Sequence, residues 1–593
     1  MRSIPDELLA KYEEEKQKRL KLHPEGPAQY IDISSVLDDF RRDPFVEPGY
    51  NRQPIVDDVD VLVVGAGFGG LLTGAALVRQ GIQNIRIIDK AGDFGGTWYW
   101  NRYPGAGCDI ESYIYMPLLE ETGYVPSEKY AKAVEIFEHC QRIARHFDLY
   151  PKAIFQTELK GLHWQEVAQR WQVATSRDDS ISARFVIIAG GVMHKPKLPG
   201  IPGIERFEGR SFHTTRWDYA CTGGSPSTPM DKLGDKRVGV IGTGATAIQV
   251  VPKLAEVAKE LFVFQRTPSG IGVRANMPTD PEWARSLKPG WQRERMDNFA
   301  WIMAGNAWDK DLVNDGWTEI FRANQGKSLS RQDQQLYDLA LMDGIRARVD
   351  EIVPDKATAE ALKPWYNRLC KRPGFHDEYL QAFARSNVKL VDTAGKGIDR
   401  MTKNGPVVDA KEYPLDILIY ASGFEMSTSY ISRLGFEIYG REARSLTEAW
   451  AQGARTLHGV MTHGFPNLMM IGTIQGGYTV NFSHLLTELS NHVSWIVGSC
   501  LDRKVSAIEP TLEAEDKWWE IVLEQLPKGL FPGPYGSECP PSYHNNEGKV
   551  PELAAIRSSP YNGGYARFFE ILRDWRSGET LEGVKLTSQE ADV

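Results

Sequence analysis

Val59-Asp60-Val61-Leu62-Val63-Val64-Gly65-Ala66-Gly67-Phe68-Gly69-Gly70 is a run of aliphatic residues that breaks abruptly into glycine. The first six residues are almost continuously β-branched or aliphatic, as a parallel strand buried on both faces requires. Leu71 to Gln80 then has the composition of a helix. Between strand and helix, Gly65 permits a tight turn, Gly67 lets the backbone approach a pyrophosphate, and Gly70 lets the helix pack closely on the strand. The helix start offers free N–H groups and the positive end of its dipole to that anion. A second apolar run, Ile85-Arg86-Ile87-Ile88, ends at Asp89, whose carboxylate can accept hydrogen bonds from ribose hydroxyls. The glycines alone carry little weight. Strand, loop, helix, strand and terminal acid in that order specify a dinucleotide-binding unit.

The pattern returns downstream. Arg237-Val238-Gly239-Val240-Ile241 leads into Gly242-Thr243-Gly244-Ala245-Thr246-Ala247, with alanine in place of the third glycine. The next strand, Leu261-Phe262-Val263-Phe264, ends in Gln265-Arg266-Thr267 rather than in an acid. An acid would repel a 2′-phosphate, whereas a guanidinium can hold it with two charge-assisted hydrogen bonds, so this unit points to NADPH. The expected fold class is α/β, with two Rossmann-like dinucleotide-binding domains. Residues 275–365 contain helical runs rich in tryptophan and methionine, among them Trp291, Trp301, Met303, Trp308 and Trp317, and read as a helical insertion. The expected division is an N-terminal extension over 1–56, a first nucleotide domain over 57–200 and 425–593, a second over 201–274 and 366–424, and the helical subdomain over 275–365. The extension begins as a charged amphipathic helix. It is expected to wrap the first domain or to serve as a partner-binding arm.

Composition narrows the function classes. A chain of 593 residues exceeds what one core supports, so several domains are expected. A net charge of -9 argues against nucleic-acid binding. The six cysteines, Cys108, Cys140, Cys221, Cys370, Cys500 and Cys539, are scattered and form no C-x-x-C pair. That pattern predicts a reduced, cytoplasmic chain rather than a disulfide scaffold, a zinc site or a dithiol reductase, and no metal ligands are assigned. Met1 to Lys21 is charged throughout, unlike a signal peptide. The uncharged run Val61 to Val78 has the length of a membrane span, yet its glycines favour the strand-loop-helix reading, so no membrane segment is expected. Oligomeric state is not legible.

Between the two loops lies Phe207-Glu208-Gly209-Arg210-Ser211-Phe212-His213-Thr214-Thr215-Arg216-Trp217-Asp218, of the form F-x-G-x-x-x-H-x-x-x-W-D. It resembles the fingerprint of the type I Baeyer-Villiger monooxygenases, flavoenzymes that insert an oxygen atom beside a ketone carbonyl. A histidine beside a tryptophan is more commonly a packed residue than a catalyst, and the family uses this segment as a hinge, so no proton transfer is assigned to His213. The resemblance extends from about residue 57 onward. Through it, Gly65, Gly67, Phe68, Gly70 and Asp89 are expected to bind FAD, and Thr97, Trp98, Asp109 and Tyr115, in and after Gly95-Gly96-Thr97-Trp98-Tyr99-Trp100, to lie near the flavin. Gly242, Thr243, Gly244, Ala245, Thr246, Gln249, Arg266 and Thr267 are expected to bind NADPH. Lys371 in Cys370-Lys371-Arg372-Pro373 is expected to help hold its phosphate, while Arg372 reaches the flavin.

The chemistry that the resemblance implies needs a ketone and O2 as well as the two cofactors. NADPH reduces the flavin, O2 adds to give a C4a-peroxyflavin, and this attacks the ketone to give an ester or lactone. Arg372 would stabilise the negative charge that develops, with Asp109 positioning it. Asp416 to Phe424 resembles the family's A-T-G signature, with Ser422 for threonine. Cys539 to Gly548 resembles the segment of members that act on large or bulky ketones, and lacks the tryptophan found there in small-ring enzymes. The competing readings are a flavin monooxygenase acting on nitrogen or sulfur and a non-catalytic nucleotide-binding protein. A disulfide reductase would need a redox cysteine pair.

Overall fold

The computed structural model describes residues 6–22, 30–31, 33, 35–322, 326, 329–425, 429–526, 539–542, 552–578 and 580–588. The aliphatic run forms strand β1 (Val56–Val64). Its Val59, Val61, Leu62 and Val63 have no exposed surface, because strands cover both edges and helices pack on the faces. Strands β2 (Ile85–Ile88), β3 (Ala153–Ile154), β4 (Leu159–Gln165), β5 (Arg170–Thr175) and β6 (Ser180–Ile188) follow in the same sheet. The chain then crosses to a second sheet, built from β7 (Arg210–His213), β8 (Arg237–Ile241), β9 (Glu260–Gln265), β10 (Val388–Asp392) and β11 (Ile417–Tyr420). It returns to the first with β12 (Glu437–Tyr439) and β13 (Leu468–Met470).

The first sheet has the order β12-β4-β5-β6-β1-β2-β3, with β13 also on β6. Strand β1 runs parallel to both neighbours, Val64 pairing with Ile88 on one side and Ile188 on the other. The second sheet, β10-β9-β8-β11-β7, is parallel throughout. Parallel strands need crossovers, and the helices Phe68–Arg79 and Ala245–Val257 supply them directly after the two glycine loops. The segment between β9 and β10 of the second sheet is largely helical, with Trp291–Met303, Gly316–Phe321 and Arg331–Ile352 as its longer or better-capped members.

The fingerprint supplies edge strand β7 and the turn beyond it. A Cβ on Gly209 would come within 2.4 Å of the Phe207 ring, which accounts for the pairing of those two types. His213 is fully buried, and its Nδ1 accepts the Thr215 backbone N–H at 3.2 Å. Burial, and next the Arg216 charge, pull its pKa down to about 3, so it is a neutral structural group. Arg216 stacks on Trp100 of the first nucleotide unit at 3.9 Å, and Asp218 caps the helix Tyr219–Thr222 through the Cys221 N–H. The two strands of chain joining the sheets lie side by side. Lys197 N donates to Gly423 O at 3.0 Å, Glu425 N to Lys195 O at 3.1 Å, and Ser422 Oγ to Lys197 O at 2.5 Å.

Two expectations need correction. The extension does not simply wrap the first domain. Its helix Asp6–Leu22 docks on the helical segment, where Tyr12 is buried against Trp365 and its hydroxyl accepts from Arg346 at 2.9 Å. Further on, Phe40 packs edge-on against Tyr420 of the second sheet, and Phe45 lies under Arg102 of the first unit. The apolar anchors therefore span both units. The cysteines, second, are not all reduced: Cys370 and Cys539 form a disulfide across a separation of 169 residues. Sequence spacing is blind to such a pair, because only the folded chain brings the C-terminal segment onto Cys370. Ser542 Oγ in the same segment donates to the Cys370 carbonyl at 3.1 Å. Tyr543 to Gly548, the rest of the stretch matched to bulky-ketone enzymes, lie outside the described residues. Among the described residues no helix is long and apolar enough to cross a membrane, and no cluster of metal-ligating side chains occurs.

Candidate active site

Both loops are shaped for a pyrophosphate. Gly65 has φ +110° and Gly242 φ +119°, and a Cβ would meet the Ala189 carbonyl at 2.4 Å in one case and the Ala421 carbonyl at 2.5 Å in the other. Gly67 and Gly244 are the N-caps of the two crossover helices, and neither helix start has a side-chain cap, so the first-turn N–H groups stay available to an anion. These features fit the diphosphate of a dinucleotide. Phe68 opens the first helix, three residues before the expected start at Leu71, and Ala245 and Thr246 open the second.

In the first unit Asp89 stands at the end of β2. One carboxylate oxygen accepts the Ala66 N–H at 2.7 Å and the other the Ala91 N–H at 2.8 Å. Asp89 therefore braces the glycine loop. Desolvation pushes its pKa up and these two N–H groups oppose the shift. Gly96 abuts Gly67, and Thr97 begins the short helix Thr97–Trp100. Trp98 Nε1 donates to the Tyr115 hydroxyl at 3.1 Å, and the Phe68 and Trp98 rings both meet Tyr115 edge-on at 5.7 and 5.8 Å. Three residues chosen from three separate stretches thus converge in one aromatic wall.

In the second unit the Thr243 hydroxyl donates to the Thr267 carbonyl at 2.7 Å, tying the loop to the end of β9 beside Arg266. Gln249, expected at the NADPH site, also ties two parts of the chain together. It is buried; its Oε1 accepts from the Tyr103 hydroxyl at 2.7 Å and its Nε2 donates to the Gly107 carbonyl at 2.8 Å. Both ends of the amide are committed to the segment that follows the flavin-side helix, so Gln249 couples the two nucleotide units.

Asp109 and Arg372 meet between these units. Arg372 Nη2 donates to Asp109 Oδ1 at 2.5 Å, across 263 residues of sequence. The acid is enclosed, its side chain 10% exposed, while the Arg372 side chain is 40% exposed. So open a pair adds little stability; what it does is aim the guanidinium. Lys371 lies 5.7 Å from the Tyr366 ring.

Sequence reading missed the residues that hold the Asp109 segment. Gln292 Nε2 donates to the Tyr113 and Met116 carbonyls at 3.0 and 2.7 Å, and its Oε1 accepts the Leu119 N–H at 3.0 Å. Arg295 pairs through two nitrogens with Glu111, whose side chain is wholly buried, and Arg274 donates to the Cys108 carbonyl at 2.5 Å. Opposite charge on Glu111 and Arg295 was the one available signal, and it is too common on helices to single them out.

The description pyridine nucleotide-disulphide oxidoreductase belongs to a family model that matches residues 62–297. Baeyer-Villiger monooxygenase ATR8 of Stachybotrys chlorohalonatus is 50% identical over 99% of this chain and 96% of its own length. The structure of a polycyclic ketone monooxygenase from the thermophilic fungus Thermothelomyces thermophila superposes with a TM-score of 0.90, at 39% identity over 98% of this chain and 99% of that one. An OTEMO complex with FAD and NADP superposes with a TM-score of 0.73, at 28% identity over 90% of this chain and all of the other. With relatives this similar along their whole length, and with both cofactor loops in place, the chain belongs to the Baeyer-Villiger monooxygenases, which use FAD and NADPH to oxidise ketones to esters or lactones.

Proposed function

We propose that Arg372 is the cationic group that stabilises the reacting oxygen, that Asp109 orients it, and that the preferred ketones are bulky or polycyclic. The contact between Arg372 Nη2 and Asp109 Oδ1 at 2.5 Å carries the first part of this reading. FAD reduced by NADPH supplies the oxygen-activating chemistry when bound. The protein's own part is electrostatic and steric. As negative charge develops on the ketone oxygen, a guanidinium that is charged at every accessible pH can donate to it without giving up a proton. Asp109 accepts from one nitrogen of that group and so fixes its orientation. The wall of Phe68, Trp98 and Tyr115 keeps water from the flavin side. At the other cofactor, Arg266, Thr267 and Lys371 are assigned to the 2′-phosphate of NADPH, Arg266 by its place directly after β9.

The division into an extension, two nucleotide domains and a helical subdomain, with the boundaries given above, is kept as our reading of the chain, supported by the way strands alternate between the two sheets. The bulky-ketone preference is supported by the similarity to a polycyclic ketone enzyme. It is tested by comparing kcat/KM for cyclohexanone and for a fused polycyclic ketone, and a clear preference for the small ring overturns it. The role of Arg372 is tested with Arg372→Ala. Bleaching of the flavin by NADPH should persist, while ester formation falls by about 100-fold to 1,000-fold. Ester made at the wild-type rate would remove Arg372 from the mechanism.

A further inference from the structure

Both members of the Asp109–Arg372 pair touch a third side chain, contributed by the helical segment. Trp317 Nε1 donates to the backbone carbonyl of Asp109 at 3.1 Å. The Arg372 guanidinium lies 5.5 Å from the centre of the same indole, within cation–π range. The indole is held from several sides. It is 3% exposed, and the Phe375 ring lies behind it at 5.4 Å. Asp315 caps the helix Gly316–Phe321 by accepting the N–H groups of Trp317 and Thr318 at 2.9 and 3.1 Å, and a Tyr130 hydroxyl in turn donates to Asp315 at 3.1 Å. Gly316 admits this packing, since a Cβ there would come within 2.1 Å of the Phe375 ring.

We propose that Trp317 is a positioning residue for the oxygen-transfer step, fixing Asp109 through its N–H and Arg372 through its ring face. The inference rests on the reading of Arg372 given above. The geometry favours it over a packing role, because a residue that merely filled space would not need both its edge and its face directed at the two halves of one ion pair. It also gives the helical insertion a function: the catalytic pair is drawn from the two nucleotide units, and a third element sets the distance between them. A weaker hold on the pair should leave the binding of NADPH and the reduction of the flavin in place, and should reduce the fraction of NADPH oxidised that ends as ester.

The test uses the FAD-loaded, full-length enzyme. In protein labelled with 5-fluorotryptophan, the 19F resonance missing from Trp317→Phe identifies Trp317. That resonance should shift in Arg372→Met, and no shift would overturn the contact. In turnover, Trp317→Phe keeps a ring but no donor, and should lose about tenfold in ester formed per NADPH consumed, the rough worth of one buried hydrogen bond. Trp317→Leu removes both contacts and should lose more, with the KM for NADPH and the rate of flavin reduction within about twofold of wild type in both variants. Wild-type coupling in both variants would refute the positioning role. So would a parallel fall in melting temperature, flavin reduction and coupling, the mark of general unfolding. If Arg372→Ala still makes ester normally, the assignment of Arg372 fails, while the 19F shift reports separately whether Trp317 touches it.

Discussion

The two glycine loops begin alike and end differently. At the first glycine of each, the backbone turns with a positive φ and presses against the carbonyl that follows a neighbouring strand, at Ala189 in one loop and Ala421 in the other. At the third position they part. A Cβ on Gly70 would lie 1.8 Å from the Gly65 carbonyl oxygen, whereas Ala247 carries its methyl group in full burial. The first helix therefore sits tighter on its loop than the second. The acid at the end of β2 adds to this by accepting two backbone N–H groups around the loop, and the second unit has Gln265 and Arg266 at the matching place. The first loop is closed on itself and suits a cofactor that stays. The second is laxer, as suits a nucleotide that must come and go in each turnover.

The largest difference is expected at the third position. Gly70→Ala forces a methyl group into a backbone carbonyl that cannot yield, so the purified protein should carry less than roughly a tenth of the wild-type flavin, read from the flavin-to-protein absorbance ratio. Equal tolerance of alanine at the two third positions would erase the contrast. Next comes Arg266→Ala. Removing the charge-assisted bonds to a 2′-phosphate should raise the KM for NADPH by about 10-fold to 100-fold and leave that for NADH nearly unchanged. An equal loss with both nucleotides would mean that Arg266 does not read the phosphate. Asp89→Asn should be milder, since the amide keeps one acceptor and turns its NH2 toward a backbone N–H. About a tenfold weaker hold on FAD is expected, measured by flavin release in mild urea. Smallest is Ala247→Gly. Loss of one buried methyl group and of helix propensity costs about 1 kcal/mol, lowering the melting temperature by roughly 2 °C at most with no change in flavin content. A large loss there would show the second helix to be as tightly seated as the first.

The sequence made the repeating parts of this molecule visible and hid the singular ones. Val59 to Gly70 and Arg237 to Ala247 could be read because strand, turn and helix follow one another along the chain, where periodicity and glycine spacing act. The convergence of Phe68, Trp98 and Tyr115, and the meeting of Asp109 with Arg372, were legible through family resemblance alone; no spacing rule links positions 263 residues apart. Trp317 appeared as one of several tryptophans in a helical stretch. What distinguishes it is that its N–H and its ring face reach two different residues, a property of the folded chain. The bonds of Gln249, one turn into the second crossover helix, to Tyr103 and Gly107 were hidden for a related reason: they join residues far apart in sequence. The Cys370–Cys539 bond escaped the cysteine spacing rules in the same way.

The paired crossings between the sheets have a consequence for how such a protein can arise. All five strands of the second sheet fall between Lys197 and Ser422, and those two residues are in contact. A whole nucleotide-binding module thus enters and leaves its host at one point. At the level of the gene, that module is an insert whose ends need only a short join, and an ancestor lacking it would have faced closing no gap wider than a hydrogen bond.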